Sequence, residues 1–482
     1  MLIKGLLHQM SQSSILPMFK NMGVDAADLQ IFTTIAVSPW SLKPVIGVIS
    51  DLVAIRGYHK RYWLIQSVIV GLGSASLMFF TSTWPFILVL CFAGLNYEMS
   101  IVDLLTEGKY AEKIQRYPES SSDVITFVQG LQTLGSIIAI SFIGQVADTK
   151  QFWILFIIAT VVSFIPFIPS MLGWLPEEKA SDLFIFIEKN LFKRNRAIFI
   201  VVGFTGLAGP VVAFLATYTN RLVGLICSLL LLGGAVGGSY MAFTPIIANI
   251  GLYQVLARLS KPSMGTALDY FYTAPEVCVA GGPDFTFKYF ITYTGLASAC
   301  VRMAGVWIYQ SVLSKWRFRT VLIFTTCLIG IGGCSDLIMV LRLNRMIGIP
   351  DRAFYFFGEA VFESIVDMLY YIPSTIIIAK VCPRNLESAT YAFLAGISNF
   401  SFMVAELSGA VIFEAAGIKS CNFDALWWLV LTFHIILPIA VGIPISWLIP
   451  NITQTEIVLE DETEDIELFF IEESSDVELD DC

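Results

Sequence analysis

Charge is scarce in this chain. Asp, Glu, Lys and Arg together make up 14% of its 482 residues, against 56% hydrophobic residues and a mean hydropathy of +0.74. Soluble domains are not built this way, so the composition places the chain among polytopic membrane proteins. Histidine is scarcer still. His8, His59 and His434 stand far apart, which leaves histidine-based catalysis and metal chemistry without support. The nine cysteines show no metal-ligand spacing. Cys91, Cys227, Cys300, Cys327 and Cys334 lie in apolar stretches and are expected to pack. Cys278 and Cys421 fall in segments expected outside the cell, where a disulfide can form. A P-loop, a heme site and a catalytic triad are all absent, which disfavours ATP-driven transport within this chain. No cofactor and no nucleic-acid partner is expected. No secretory signal peptide is visible.

The net charge of −10 misleads. Residues 451–482 hold 13 acidic residues and no Lys or Arg, so the rest of the chain is mildly basic. This stretch reads as a solvated, disordered cytosolic tail. Spans of about 20 apolar residues are expected near 2–20, 31–53, 63–82, 84–108, 124–147, 152–175, 196–217, 221–243, 246–272, 288–311, 319–341, 353–379, 387–413 and 425–448. The span at 246–272, taken as 244–272, is the weakest, since Pro245 and Pro262 interrupt it. The first is unusually polar, with Lys4, Gln9, Ser11, Gln12, Ser13 and Ser14. It is expected to line an aqueous cavity and to begin inside what was once a longer helix. Short basic loops set the orientation. Arg56–Arg61, Lys109–Arg116, the linker 176–195, Lys315–Arg319 and Lys380–Arg384 all fall on one side, which is expected to be cytosolic together with both termini. Arg342, Arg345 and Arg352 dissent. The Asn451 sequon then lies inside and is expected to be unmodified.

The order of spans is six, two and six. The expected parts are a first half at 1–175, a linker with two extra helices at 176–245, a second half at 246–450, and the tail at 451–482. A near-repeat supports duplication. Ser100-Ile-Val-Asp-Leu-Leu105 returns as Ser364-Ile-Val-Asp-Met-Leu369, each followed by a Pro and a Gly at nearly equal distances: Pro118 and Gly130, then Pro383 and Gly396. Repeated units carrying intramembrane charge are a mark of secondary transporters.

One local motif is strong. Pro39-Trp40-Ser41-Leu42-Lys43-Pro44 leads to Gly47, Asp51 and the basic loop Arg56-Gly57-Tyr58-His59-Lys60-Arg61-Tyr62. Gly47 would let helices approach closely, and Asp51 would accept a charge-assisted bond at a helix end. The motif resembles the major facilitator loop, and that resemblance implies that Gly47, Asp51, Arg56, Gly57, Lys60 and Arg61 form a gating loop. With the Asp103–Glu112 block leaving the fourth span and the Lys261-Pro262…Asp269–Tyr272 stretch, this pattern resembles the folate–biopterin transporter family of the major facilitator superfamily. The spacing between Asp51 and Arg56 is longer than in the common facilitator loop. The resemblance implies an all-α polytopic membrane protein of major facilitator type, built from two six-helix pseudo-repeats with an inserted helix pair. It implies carriage of a pterin, a folate or a related metabolite, with protons. A transporter of an unrelated metabolite and a non-transporting nutrient sensor are the alternatives. The plasma membrane is the default location, and an internal membrane stays open.

Charges within apolar spans carry the site expectation, because they normally face a bundle interior and pair. Lys43, Glu98, Asp103, Arg302, Glu363 and Asp367 are the candidates for the substrate and proton pathway, with Gln129 as a polar contact. Glu359, Glu363 and Asp367 are spaced by four and form one helical stripe, as do Asp103 and Glu107. Arg302 is expected either to clamp a substrate carboxylate or to pair with Glu363 or Asp367. Phe127, Tyr270, Phe271, Tyr272, Tyr289 and Tyr293 are candidates for stacking on a flat ring. Thr126, Gln132 and Thr133 would add polar contacts, and Gly130 and Gly135 would serve helix packing.

Overall fold

The computed structural model describes residues 1–453 except 82–83, 117–120, 175–176, 178, 180–182, 188, 383–386 and 420. The side chains of 51, 107–116, 121–126, 129, 190–191, 194, 379 and 387–389 are not described either. The tail from 454 onward thus lies outside the described residues. So do the side chains of Asp51, Glu107, Thr126 and Gln129.

Long apolar runs dictate helices, because lipid offers no partner for backbone N–H and C=O groups. The elements are α1 (Leu2–Asn21), α2 (Ala26–Ser50), β1 (Val53–Ile55), α3 (Arg61–Thr81), α4 (Pro85–Arg116), α5 (Ser121–Asp148) and α6 (Trp153–Leu172). They continue with β2 (Ile185–Ile187), α7 (Arg196–Tyr218), α8 (Arg221–Ala242), α9 (Pro245–Leu259) and α10 (Gly265–Tyr272). The last are α11 (Lys288–Leu313), α12 (Phe318–Val340), α13 (Asp351–Ile378), α14 (Glu387–Ala416) and α15 (Leu426–Leu448). Twelve described helices are long and apolar enough to cross a membrane. The two other expected spans are α1 and the broken pair α9–α10. α1 packs along α5 and α4, and Ser11 and Ser14 are buried. Those two side chains therefore face protein rather than lipid.

The halves meet through reciprocal pairs: α2 packs on α14, and α5 packs on α11. At the second seam Thr292 Oγ1 donates to the Ile140 carbonyl at 2.8 Å. Gly144 is required there, since a Cβ would lie 2.6 Å from the Phe287 carbonyl oxygen. α7 packs on both α2 and α14, and α8 on α14 and α9, so the inserted pair sits along the first seam. Gly135 meets α1 as expected, with Leu2 O 2.1 Å from a built Cβ, but Gly130 meets nothing within 4 Å and serves no helix contact. Gly47 faces only Leu104 at 3.8 Å, ordinary contact that does not demand glycine. Cys300 and Cys334 are exposed rather than packed. Cys278 and Cys421 form a disulfide.

Polar contacts join the ends of the bundle. At the end opposite the linker, Lys20 Nζ donates to the Thr273 carbonyl at 2.9 Å. The Tyr270 hydroxyl donates to the Val24 carbonyl. Asp148 accepts from the N–H groups of Phe287 and Lys288 at 2.8 and 2.9 Å. Arg221, at the start of α8, pairs with Asp28 of the first half and with Glu414 of the second. This end is shut. The dissenting arginines have a local explanation here: Asp351 accepts from Arg342 at 2.8 Å and from Arg345 at 2.6 Å. Arg342 and Arg345 are consumed by one buried carboxylate at a helix start, and Arg352 stacks on the Tyr289 ring at 5.5 Å.

At the linker end β1 pairs with β2 antiparallel, Val53 opposite Ile187, Ala54 opposite Phe186 and Ile55 opposite Ile185. Glu177 accepts from three successive N–H groups, His59 at 2.6 Å, Lys60 at 2.8 Å and Arg61 at 3.2 Å. A carboxylate at a helix N-terminus satisfies donors that have no partner within the helix. The linker thus holds the basic loop from both sides.

Candidate functional site

In the first half, Asp103 of α4 is 2% exposed and binds two ammonium groups, Lys43 at 2.5 Å and Lys4 of α1. The three helices are tied by one buried carboxylate. The α2 backbone tightens to a 3-10 turn over Ser38–Leu42, which turns Trp40 onto this cluster. The Trp40 ring lies 4.9 Å from Lys43 Nζ and 6.0 Å from Lys4 Nζ, and His8 meets it edge-on at 5.4 Å. Trp40 Nε1 donates to Asn96 Oδ1 at 2.7 Å. The cluster carries two cations against one carboxylate, beside an aromatic face.

The second half builds a cavity of about 290 Å³. Its wall is the break between α9 and α10. Pro262 disfavours helical geometry at Lys261, and residues Ser260–Met264 leave the helix. Ser263 N then donates to the Ala405 carbonyl of α14 at 3.2 Å. Gly409 permits this approach, since a Cβ there would lie 2.2 Å from Ser263 O. Irregular backbone at membrane depth is tolerated where it lines a cavity. Arg258 and Lys261 flank the break and line the cavity, and Asp269 follows on α10.

Two other walls are π-helical, Phe356–Glu363 in α13 and Leu431–Ile436 in α15. Such segments are frequent at functional sites. The first carries Glu359 and Glu363, the second His434. Asp336 of α12 accepts from the Tyr272 hydroxyl at 2.7 Å and lies 3.1 Å from His434 Nδ1. Asp336, Glu359 and Glu363 each bring an oxygen within 4.8 Å of the others. Glu406 of α14 completes the carboxylate wall, with Tyr355 beside it. Asn399, two turns before Glu406 on α14, donates to the Trp40 carbonyl at 3.1 Å. One helix therefore touches both charge groups.

The expected residues divide accordingly. Lys43 and Asp103 meet in the first cluster, and Glu363 lines the cavity. Glu98 is buried, but it packs on Gly71 of α3 and faces Ser163 of α6, away from both. Arg302 and Asp367 are exposed, and among the described residues neither makes an ion pair. The expected pairing of Arg302 with Glu363 or Asp367 is thus absent, and the stripe Glu359–Glu363–Asp367 splits after its second member. Tyr272 is the one aromatic candidate on the cavity; Tyr270 and Phe271 pack in the core, and Phe127 is 67% exposed. In the basic loop, Arg56 stacks on Tyr62 and Phe184 at 5.5 and 5.4 Å, with its backbone in the left-handed region as at Gly57. Lys60 and Arg61 give their N–H groups to Glu177.

Sequence reasoning missed Lys4, His8, Arg258, Asp336, Glu406 and His434 as site residues. A signal existed. Arg258, Asp336, Glu406 and His434 each interrupt a largely apolar run, the same costly feature that singled out Asp103, whereas Lys4 and His8 sit in the polar first span.

A sequence profile of the BT1 family matches residues 4–466. Probable folate-biopterin transporter 6 of Arabidopsis thaliana is 24% identical over 86% of this chain and 74% of its own length. A folate-biopterin transporter of Synechocystis sp. is 22% identical, covering 85% of this chain and 72% of its own. Folate transporter 2 of Plasmodium falciparum is 25% identical, covering 82% and 74%. Among solved structures, an auto-inhibited POT family peptide transporter superposes with a TM-score of 0.62 at 10% identity, covering 93% of this chain and 95% of its own. A D-xylose-proton symporter gives 0.57 at 10% identity, covering 95% and 98%. The fold is that of the major facilitator-type transporters.

Proposed function

This chain belongs to the BT1 family, and on that premise we propose that it moves pterins or folates across a membrane by proton-coupled alternating access. It is an integral, multi-pass membrane transporter and not an enzyme. The observation that carries the reading is the cavity at the broken α9–α10 helix, with its five carboxylates, two cations and one imidazole. The chemistry matches. A pterin ring offers an amino group and ring N–H donors that suit carboxylates, and a flat face that suits Tyr272 and Tyr355. Folate adds carboxylates, which suit Lys4, Lys43, Arg258 and Lys261. Asp336, Glu359 and Glu363 bring three carboxylate oxygens within 4.8 Å of one another, a geometry in which a proton shared among them would relieve like-charge repulsion. That shared proton is the coupling element in this reading.

The halves 1–175 and 246–450 rock about the site, with 176–245 as the inserted linker and helix pair. The linker end faces the cytosol, and the plasma membrane is the host. Uptake of labelled folate, biopterin and unrelated metabolites such as a hexose and a dipeptide into proteoliposomes tests the reading. Saturable uptake of folate or biopterin, enhanced by an acid exterior, is expected. Uptake of only the unrelated compounds, or none by folded protein, would overturn it.

A further inference from the structure

The two-stranded sheet at the linker end has one face against the protein, and on the other face the side chains of β2 are exposed. Ala54 is fully buried and Phe186 opposite it is half-buried. On the other face Ile185 and Ile187 are 56% and 50% exposed, and Leu183 just before β2 is 60% exposed. Water does not tolerate such a patch without reason, and contiguous exposed apolar surface marks an interaction site. The patch is fixed in place. α6 ends at Leu172 and α7 starts at Arg196, so the sheet is tethered on both sides to helices that enter the membrane at this end. Trp174, just past the end of α6 where the linker begins, is 68% exposed, a residue type that favours the membrane–water boundary. Lys189, Lys193 and Arg196 are exposed directly after β2. Apolar side chains bordered by cations match an anionic lipid surface in both respects.

We propose that the outward face of this sheet is seated in the adjoining leaflet, with Lys189 and Lys193 on anionic lipid headgroups. The sheet lies in the interface plane and does not span. It has a direct mechanical connection to the basic loop. β1 leaves α2 through Asp51 and Leu52, Arg56 N donates to the Phe184 carbonyl at 2.7 Å, and Glu177 caps the start of α3. Lipid that holds β2 therefore also holds the loop between α2 and α3.

The test uses the full chain in nanodiscs of phosphatidylcholine with and without phosphatidylglycerol. Every cysteine outside the Cys278–Cys421 bond is replaced, and a nitroxide is attached through Ile185→Cys, Phe186→Cys or Ile187→Cys in separate variants. At 185 and 187, relaxation by oxygen, which partitions into lipid, is expected to exceed relaxation by a water-soluble nickel chelate. Position 186 is expected to resist both. Added phosphatidylglycerol is expected to deepen the label at 187, and Lys189→Gln with Lys193→Gln is expected to cancel that shift. Higher nickel than oxygen access at 185 and 187 would put the face in water and overturn the proposal. Low access to both reagents there would mean a protein partner or a second copy covers it, which also overturns it. A depth at 187 unaffected by lipid charge would overturn the headgroup assignment.

Discussion

Removing the charge of Asp103 would leave Lys4 and Lys43 facing each other in a buried site with nothing between them. Breaking a buried ion pair by deleting one partner costs about 3–5 kcal/mol. Asp103→Asn is therefore expected to lower the thermal midpoint of the purified transporter by several degrees, read by a thiol-independent unfolding assay in detergent. Asp367→Asn, at an exposed position without a described ion pair, should change stability by under about 0.5 kcal/mol. Equal destabilisation of the two would mean that the near-identical hexapeptides do equivalent work after all. Arg302→Lys should likewise spare stability, since no described partner is lost. These residues also show what was legible. A charge in an apolar run is readable as costly, which drew attention to Lys43, Asp103 and Glu363. Its partner is not readable, because Lys4 lies on a different helix and far off in sequence. The two hexapeptides share letters but not neighbours: Asp103 is buried between two lysines, whereas Asp367 is exposed.

At the scale of elements, the break between α9 and α10 depends on a helix that lets backbone come close. Gly409 faces the Ser263 carbonyl, and any Cβ must push against backbone rather than a flexible side chain. Gly409→Ala is expected to cost about 1–3 kcal/mol through overpacking and to impair uptake. Gly130→Ala, with nothing within 4 Å, should be neutral or slightly stabilising. Parallel uptake and melting measurements on the two variants check this, and a harmless Gly409→Ala would mean that the unwound segment does not need its close seat on α14. The weak point of the pattern at 246–272 was visible from Pro262. The π-helical segments were not, because one extra residue per turn leaves no trace in hydrophobic spacing. They moved Glu359, Glu363 and His434 onto one cavity in a way that a regular helix stripe does not describe.

For the whole molecule, the order of six, two and six helices followed from run length and is carried by the reciprocal packing of α2 on α14 and α5 on α11. The seat of α7 and α8 on the first seam was not legible, since apolar helices reveal their neighbours only through glycines such as Gly209, whose built Cβ would lie 1.6 Å from Ser41 Oγ. With the linker end in the cytosol, a cysteine introduced at Lys193 should be shielded from an impermeant thiol reagent in intact cells, while one at Val277, 99% exposed at the opposite end, should react. The reverse pattern would invert the orientation. The central claim is that the carboxylate cavity couples substrate to protons. It is tested most directly by Glu363→Gln in proteoliposomes, comparing uptake against a gradient with exchange at equilibrium. The account predicts that acid-driven accumulation of folate or biopterin is lost while exchange of bound for free substrate continues. Accumulation retained at the parent level by folded Glu363→Gln protein would contradict it.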